Sequence, residues 1–162
     1  MPVTPSPLRY PGGKTGYASL LKKVIDANDL RGCDYAEPFA GGAGAAITLL
    51  LDNYVDSIYL NDFDPSIYCF WKAILSKTSE FIKKVKETEI TIDEWKRQRE
   101  IYRKQNSQRY LSLGFATFYL NRCNRAGIIG ANPSSTVSPL SSSFFRCRSL
   151  KILTTLAFTI IF

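Results

Sequence analysis

A glycine-rich turn, followed by a strand that ends in a carboxylate, is the part of this sequence best suited to chemistry. Residues 34–47 read DYAEPFAGGAGAAI, and Asp62 follows in the segment YLNDFDP. Glycine has no Cβ atom, so the backbone at Gly41, Gly42 and Gly44 can approach a ligand closely. A carboxylate at the end of the next strand can accept hydrogen bonds from ribose hydroxyls. The combination favours a nucleoside-binding site over a tight turn without a ligand.

The residues around this turn predict a strand–helix–strand arrangement that would position it. The pattern of apolar residues indicates strands at about 33–39 and 56–61, with a helix at about 44–53 between them. Further helices are predicted at about 15–28, 65–76, 79–87, 93–105 and 107–123.

Local signals support several of these helices. Asp64 and Pro65 are typical of a helix start, because proline is favoured in the first turn. Thr91 followed by Glu94 three residues later is a capping signature. Gly114 is expected to be the weak point of the last helix, because glycine lowers helix stability.

Four motifs in the same order and spacing resemble the DNA adenine methylases of the Dam-like class. They are LRYPGGK at 8–14, EPFAGGAG at 37–44, LNDFDP at 60–65 and FYLNRCNRAGIIG at 118–130. The resemblance covers about residues 7–132. It implies that S-adenosylmethionine is the cofactor, that double-stranded DNA is the substrate, and that the methyl group goes to the exocyclic amine of adenine.

The resemblance also implies roles for individual residues. The implied cofactor-binding residues are Tyr10, Lys14, Glu37, Phe39, Ala40, Gly41, Gly42, Gly44 and Asp62. The implied DNA-binding residues are Asn121, Arg122 and Arg125, in a segment that also matches the family at Gly127. Simpler roles stay open: Phe39 could only shape the turn, Lys14 could be a surface lysine, and the two arginines would stabilise the end of any helix.

The resemblance implies an α/β fold, which would be an incomplete Rossmann-like S-adenosylmethionine-dependent methyltransferase fold with a helical insertion. In the family, strand one lies in the middle of a seven-stranded sheet, and the later strands are missing here. An unpaired apolar strand edge favours association between chains. We therefore expect self-association through this edge.

The 162 residues contain no Asp-Pro-Pro-Tyr, the catalytic motif that the family carries beyond the recognition region. In the family this motif raises the nucleophilicity of the target amine, and its tyrosine stacks on the flipped base. The nearest string, NPSS at 132–135, has one proline and no aromatic residue. We assign no catalytic residue and expect a truncated chain that is inactive alone.

Charge divides the chain. Residues 1–80 hold 7 Lys/Arg and 9 Asp/Glu, whereas residues 111–162 hold 5 Lys/Arg and no acid. We expect a cofactor-binding α/β part at 1–80 and the helical, basic start of the DNA-recognition region at 81–131. The excess of basic residues favours DNA as a binding partner, although a solvated lysine-rich helix face would have the same composition. Residues 132–162 are expected to be an aberrant or disordered tail, for example out-of-frame translation; the alternative is a divergent recognition region.

Several kinds of site and location are disfavoured. The chain has no histidine, and its four cysteines are scattered, which argues against a metal site and against histidine-dependent nucleophilic catalysis. The apolar stretch 150–162 is too short to span a bilayer, and no secretory signal is visible. We expect a cytoplasmic protein without a membrane partner.

Two other functions stay open besides the methyltransferase. One is a non-catalytic DNA-binding or decoy module, and the other is a nicotinamide-dinucleotide-binding enzyme. The second is disfavoured because Ile47 stands where the dinucleotide-binding motif has its last glycine. A phosphate-binding P-loop at Gly13-Lys14-Thr15 is rejected, because Leu8 stands where that motif needs a glycine.

Overall fold

The computed structural model describes residues 5–10 and 12–132. Short 3-10 turns at Lys14–Tyr17, Ser107–Arg109 and Arg125–Gly127 accompany the regular elements. In chain order, these elements are α1 (Ala18–Ala27), β1 (Cys33–Glu37), α2 (Gly44–Leu51), β2 (Val55–Leu60), α3 (Pro65–Ser76), α4 (Thr78–Glu87), α5 (Ile92–Lys104) and α6 (Tyr110–Cys123).

The two strands form a parallel pair, which α2 connects. The register pairs Tyr35 with Ile58 and Ala36 with Tyr59. Ile58 is fully buried on one face, whereas Tyr59 is exposed on the other. A parallel pair joined by a helix is an α/β arrangement, so the predicted fold class is confirmed at that level. Within the described residues the sheet has these two strands, and the predicted self-association stays a prediction.

The starts of α3 and α5 follow their sequence signals. The carboxylate of Asp64 accepts a hydrogen bond of 2.8 Å from the Ser66 N–H, and Pro65 opens α3. The Thr91 hydroxyl accepts a hydrogen bond of 3.1 Å from the Glu94 N–H. Both contacts satisfy amide groups that the first turn of a helix leaves without partners. Both predicted helix starts are confirmed.

Two predicted helices begin differently from the prediction. The helix expected from residue 15 starts as the 3-10 turn Lys14–Tyr17 and becomes α-helical at Ala18. The helix expected from residue 107 starts as the 3-10 turn Ser107–Arg109. In the second case, the Asn106 side chain accepts a hydrogen bond of 3.1 Å from the Gln108 N–H, which tightens the first turn.

Aromatic rings fill the helical core, which we define as the facing sides of α3, α4 and α6. The Phe70 ring stacks on the Phe118 ring at 6.0 Å between centroids. The Phe81 ring meets both rings edge-on, at 5.9 Å from Phe70 and 5.7 Å from Phe118. Edge-to-face pairs of this kind add to the free energy that burial of the rings already provides.

Gly114 has a packing role that the sequence did not indicate, and its predicted cost to helix stability stays a prediction. The helix continues through Gly114, and a Cβ atom there would lie 2.5 Å from the backbone oxygen of Cys69 in α3. Real Cβ atoms do not approach so closely, so the missing side chain is what lets the two helix backbones meet. Gly114 therefore lies where the backbones of α3 and α6 pack against each other.

Some predictions concern residues outside the described part, and others concern membrane spans and metal sites. The expected tail after its first residue, Asn132, lies outside the described part, as does Cys147. In the described part, no helix is long and apolar enough to cross a bilayer. Residues 5–10 and 12–132 also contain no group of three or more metal-ligating side chains placed to hold an ion.

Candidate functional site

The turn between β1 and α2 is held from both sides at Gly41. Gly41 has a φ of +51° and Ala43 a φ of +48°, so the chain passes twice through the left-handed region that favours glycine. The Gly41 N–H donates to Asp62 Oδ2 at 2.7 Å. The Gly41 carbonyl accepts from the buried Trp71 Nε1 at 2.9 Å. Both polar groups of Gly41 are therefore fixed by side chains from beyond the turn.

Asp62 holds the turn and keeps acceptor capacity. Its Oδ1 accepts a second backbone bond, from the Asp64 N–H at 3.0 Å. The side chain is half-buried. An ionised carboxylate has about four lone-pair positions, so two backbone bonds leave acceptor sites for a further donor. The structure places the predicted acid against the glycine turn, where it anchors the backbone.

Glu37 and Lys14 form a second anchor beneath the turn. Glu37 is 4% exposed, and its Oε2 accepts from the Ala46 N–H in the first turn of α2 at 3.3 Å. Lys14 Nζ lies 3.0 Å from Glu37 Oε1 and also donates to the Phe39 carbonyl. Because α2 has no side-chain cap at Ala43, the Glu37 carboxylate supplies the negative charge that a helix start favours.

Tyr10 lies on the glycine turn. A Cβ atom at Gly41 would come within 3.0 Å of the Tyr10 ring, and one at Gly42 would lie 3.2 Å from Tyr10 Cβ. The pKa of the Tyr10 phenol is raised by burial, and the negative charges of Asp62 and Asp64 raise it further. Side chains at these glycines would displace the tyrosine, so the glycines and Tyr10 form one surface.

An open cleft of about 510 Å³ adjoins this surface. Three of the four sequence motifs contribute to its walls. Its lining residues are Ser6, Leu8, Arg9, Tyr10, Gly13, Thr15, Gly42, Gly44, Ala126 and Ile128. At Gly44 a Cβ atom would overlap Thr15 Oγ1, so a glycine is needed there. The cleft joins the first motif, the glycine turn and the segment after α6.

Two aromatic rings are exposed where the paired strands end. Phe39 is 69% exposed and Phe63 is 87% exposed. The strand ends are joined by a bond of 2.8 Å from the Ala40 N–H to the Asn61 carbonyl. Phe39 was a predicted site residue, whereas Phe63 was missed, although an aromatic residue directly after Asp62 was a usable signal. Both strand ends therefore carry an exposed apolar ring next to the glycine turn or to Asp62.

The three predicted DNA-binding residues do not share a surface. Asn121 is 1% exposed, and its side chain is hydrogen-bonded to Arg9 and Gly127. Arg122 is half-buried, donates to the Pro7 carbonyl and lies 5.6 Å from the Phe118 ring centroid. Its burial, with the nearby charge of Arg9, lowers the pKa of its guanidinium to about 10. Of the three, Arg125 is exposed.

One family model matches most of the chain. The model of the D12 class N6 adenine-specific DNA methyltransferase matches residues 10–153. The chain belongs to this family. Membership confirms the predicted Dam-like resemblance and the prediction of a DNA adenine methyltransferase enzyme. A search of curated proteins finds no match.

The family match bears on several further predictions. DNA is the substrate that the family name implies, and methyltransferases of this family generally use S-adenosylmethionine. The matched range continues past Asn132, so it includes part of the expected tail. The division into residues 1–80, 81–131 and 132–162 stays a prediction.

The structure brings the predicted cofactor-binding residues together and separates the predicted DNA-binding ones. The first group surrounds the glycine turn, where Lys14 and Glu37 serve as its support. Of the nine residues, Tyr10, Gly42 and Gly44 line the cleft. Sequence reasoning missed Trp71, whose indole holds the turn from below. Trp71 lies thirty residues from Gly41 in sequence, and no local pattern connects the two.

Proposed function

We propose that this chain binds S-adenosylmethionine at the glycine turn and acts as the cofactor-binding part of a DNA N6-adenine methyltransferase. The proposed fold is the incomplete Rossmann-like fold of such enzymes, with α4–α6 as the helical insertion. The observation that carries the proposal is the pair of contacts at Gly41, where Asp62 fixes the N–H and Trp71 the carbonyl. When bound, the cofactor supplies an electrophilic methyl group on a sulfonium centre.

The residues present fit such a cofactor. Gly41 and Gly42 leave bare backbone beneath Tyr10. The cleft of about 510 Å³ lies within the roughly 300–1,000 Å³ typical of small-molecule sites. Asp62 keeps acceptor sites for ribose hydroxyls, and Phe39 and Phe63 offer exposed apolar faces to a purine ring. The chain's own groups therefore provide a polar anchor, an apolar support and a close backbone approach.

DNA is proposed to contact the exposed basic residues near α5 and α6. Most cations of α5 already have a carboxylate partner on the same helix, as for Lys96 with Asp93 at 3.5 Å and Arg97 with Glu94 at 2.8 Å. Arg109 is exposed and lines a cleft of about 280 Å³ at the turn between α5 and α6. We propose Arg109 and Arg125 as phosphate contacts, because exposed cations gain most by releasing counterions from DNA.

We further propose that residues 1–162 bind the cofactor without transferring the methyl group. These residues include no Asp-Pro-Pro-Tyr to accept hydrogen bonds from the adenine amine. A transfer assay with tritiated S-adenosylmethionine and adenine-containing duplex DNA tests this directly. We expect no label in adenine, and clear incorporation by the purified chain would overturn this part alone.

Calorimetric titration with S-adenosylmethionine, and separately with NAD, tests the cofactor assignment. We expect Asp62→Ala to weaken S-adenosylmethionine binding by about tenfold or more, since a bond to a charged group is worth roughly 1.5–3 kcal/mol. Asp56→Ala is the matched control, because Asp56 is an exposed acid in β2, away from the turn. Equal affinity of Asp62→Ala and the wild type, or binding of NAD alone, would refute the assignment. DNA binding without cofactor binding would favour a decoy module.

A further inference from the structure

The side chain of Asn121 binds the backbone of Arg9 through both of its polar groups. Asn121 Oδ1 accepts from the Arg9 N–H at 2.9 Å, and Asn121 Nδ2 donates to the Arg9 carbonyl at 2.7 Å. The second amide hydrogen goes to the Gly127 carbonyl at 2.7 Å. A side-chain amide has two donor hydrogens and an acceptor oxygen. All three functions are used, and every partner is a backbone group of this chain.

Two neighbouring residues hold the same N-terminal segment. The Arg122 guanidinium donates to the Pro7 carbonyl. Gly127 has a φ of +75°, and a Cβ atom there would lie 2.6 Å from Arg9 Cβ and 2.7 Å from the Arg9 carbonyl oxygen. The end of α6 and the turn after it therefore fix residues 7–9 over more than a hundred residues of sequence. We call these three contacting residues, Asn121, Arg122 and Gly127, the clamp.

The clamp bears on the cofactor site because Tyr10 is the next residue. Tyr10 lies on Gly41 and lines the open cleft. With the N–H and carbonyl of Arg9 both bound, the backbone that carries Tyr10 has little freedom to move. Asn121 itself is buried and does not line the cleft. Any effect of Asn121 on the cofactor is therefore indirect.

We propose that Asn121 is a positioning residue of the cofactor site, which holds Arg9 so that Tyr10 covers the glycine turn. The role in cofactor binding rests on the function proposed above, whereas the clamp itself does not. It differs from the DNA contact that the sequence indicated, because the amide is used inside the protein. Removing the amide would release residues 7–10 while α6 stays folded.

Limited trypsin digestion of the full chain measures the clamp without any cofactor. Trypsin cleaves after arginine, and it needs the backbone on both sides of the cleaved bond to leave the fold. We expect Asn121→Ala to speed cleavage between Arg9 and Tyr10 by about tenfold or more, because such cleavage follows the population of the open form. Mass spectrometry of the nine-residue fragment identifies the bond. Unchanged cleavage would refute the clamp.

A matched control separates the clamp from general loss of stability. Thr117 is also buried in α6, and its hydroxyl donates to the Leu113 carbonyl at 2.8 Å. Thr117→Val removes that bond, which lies within α6, and leaves the Asn121 amide in place, so its cleavage after Arg9 should match the wild type. If Asn121→Ala fails to fold, Gly127→Ala is used in the same assays, because its Cβ atom would collide with Arg9 and displace it. Protection of Arg9 in a folded Gly127→Ala would then count against the clamp.

Titration with S-adenosylmethionine completes the test. We expect folded Asn121→Ala to bind the cofactor about tenfold more weakly than Thr117→Val, because ordering the freed segment on binding opposes affinity. Faster cleavage with unchanged affinity would show a clamp that does not position the cofactor site, and would overturn the proposal. If the wild type binds no cofactor, the proposed function fails, and with it the positioning role, while the digestion still reports whether the clamp exists.

Discussion

The glycine turn and the helical core are stabilised by different interactions. The turn, with Lys14, Glu37 and Asp62, is held by hydrogen bonds and an ion pair that involve charged groups. The helical core is held by buried aromatic rings that pack on one another. Aromatic residues occur in both places, but Phe81 is buried in the core, whereas Phe63 is exposed beside the turn.

This difference separates stability from recognition. Burial of apolar surface supplies most of the folding free energy, and in this chain the buried phenylalanine rings that pack on one another lie between the helices. The turn exposes its rings and keeps acceptor sites on Asp62, so its residues contribute less to folding and are available to a ligand. Substitutions of the same type should therefore have different effects in the two regions.

The largest contrast is expected between Phe81→Ala and Phe63→Ala. Phe81 is almost fully buried against three other phenylalanine rings, and its loss should reduce the free energy of unfolding by roughly 3–5 kcal/mol. Phe63→Ala should change it by less than about 0.5 kcal/mol. Urea unfolding measures both values.

The same two variants should show the reverse order in cofactor binding. Phe63→Ala is expected to weaken binding of S-adenosylmethionine, because the exposed ring is available to the purine. Folded Phe81→Ala should bind as the wild type does. If both variants lost stability and affinity in parallel, the two regions would not be energetically separate.

Gly114→Ala tests the backbone contact in the core. Alanine is favoured over glycine in helices by about 1 kcal/mol, so helix propensity alone predicts a gain in stability. The Cβ atom would instead meet the α3 backbone at Cys69 and Phe70, and we expect a net loss of roughly 1–3 kcal/mol. Gly16→Ala is the control, because nothing lies near its missing Cβ atom. A more stable Gly114→Ala in urea unfolding would contradict the close packing.

These residues also show which features the sequence could predict. The cap at Asp64 and the cap at Thr91 were predictable, because each bond joins residues two or three apart. The packing role of Gly114 was not predictable, since helix propensity says nothing of the helix that packs against it. Asn121 was assigned to DNA, but its partner Arg9 lies 112 residues away in sequence. Interactions over such separations depend on the packed fold, and a single sequence does not reveal them.

Glu37→Gln tests whether charge supports the turn. Gln keeps the shape of the side chain but removes the negative charge that pairs with Lys14 and faces the start of α2. We expect the free energy of unfolding to fall by about 1–2 kcal/mol and cofactor affinity to fall with it. Glu80→Gln is the matched control, because Glu80 forms an exposed ion pair with Lys77, and such pairs contribute little. Equal effects of the two substitutions in urea unfolding would argue against a charged anchor.

The smallest expected effect is an alkaline loss of stability that comes from the core. Burial raises the pKa of the Cys123 thiol to about 11, although a hydrogen bond with Tyr119 partly offsets the rise. In the unfolded chain a cysteine ionises near pH 8.5. Between pH 9 and 10 the unfolded state therefore binds fewer protons than the folded state, so stability falls as pH rises.

Cys123→Ala should make this decline shallower, by about 1 kcal/mol between pH 9 and 10, when urea unfolding is followed at each pH. The decline should not vanish, because the pKa of Cys69 is also raised by burial and acts in the same direction. Arg122 acts oppositely, since the lowered pKa of about 10 lets the folded state lose a proton first at higher pH. Tyrosines whose pKa values are raised by burial also contribute in this interval. The difference between the wild type and Cys123→Ala isolates the Cys123 thiol, because the two proteins share all the other groups. A slope that is identical in the wild type and Cys123→Ala would show that the end of α6 is open to water, and the distinction between a dry core and a polar turn would fail there.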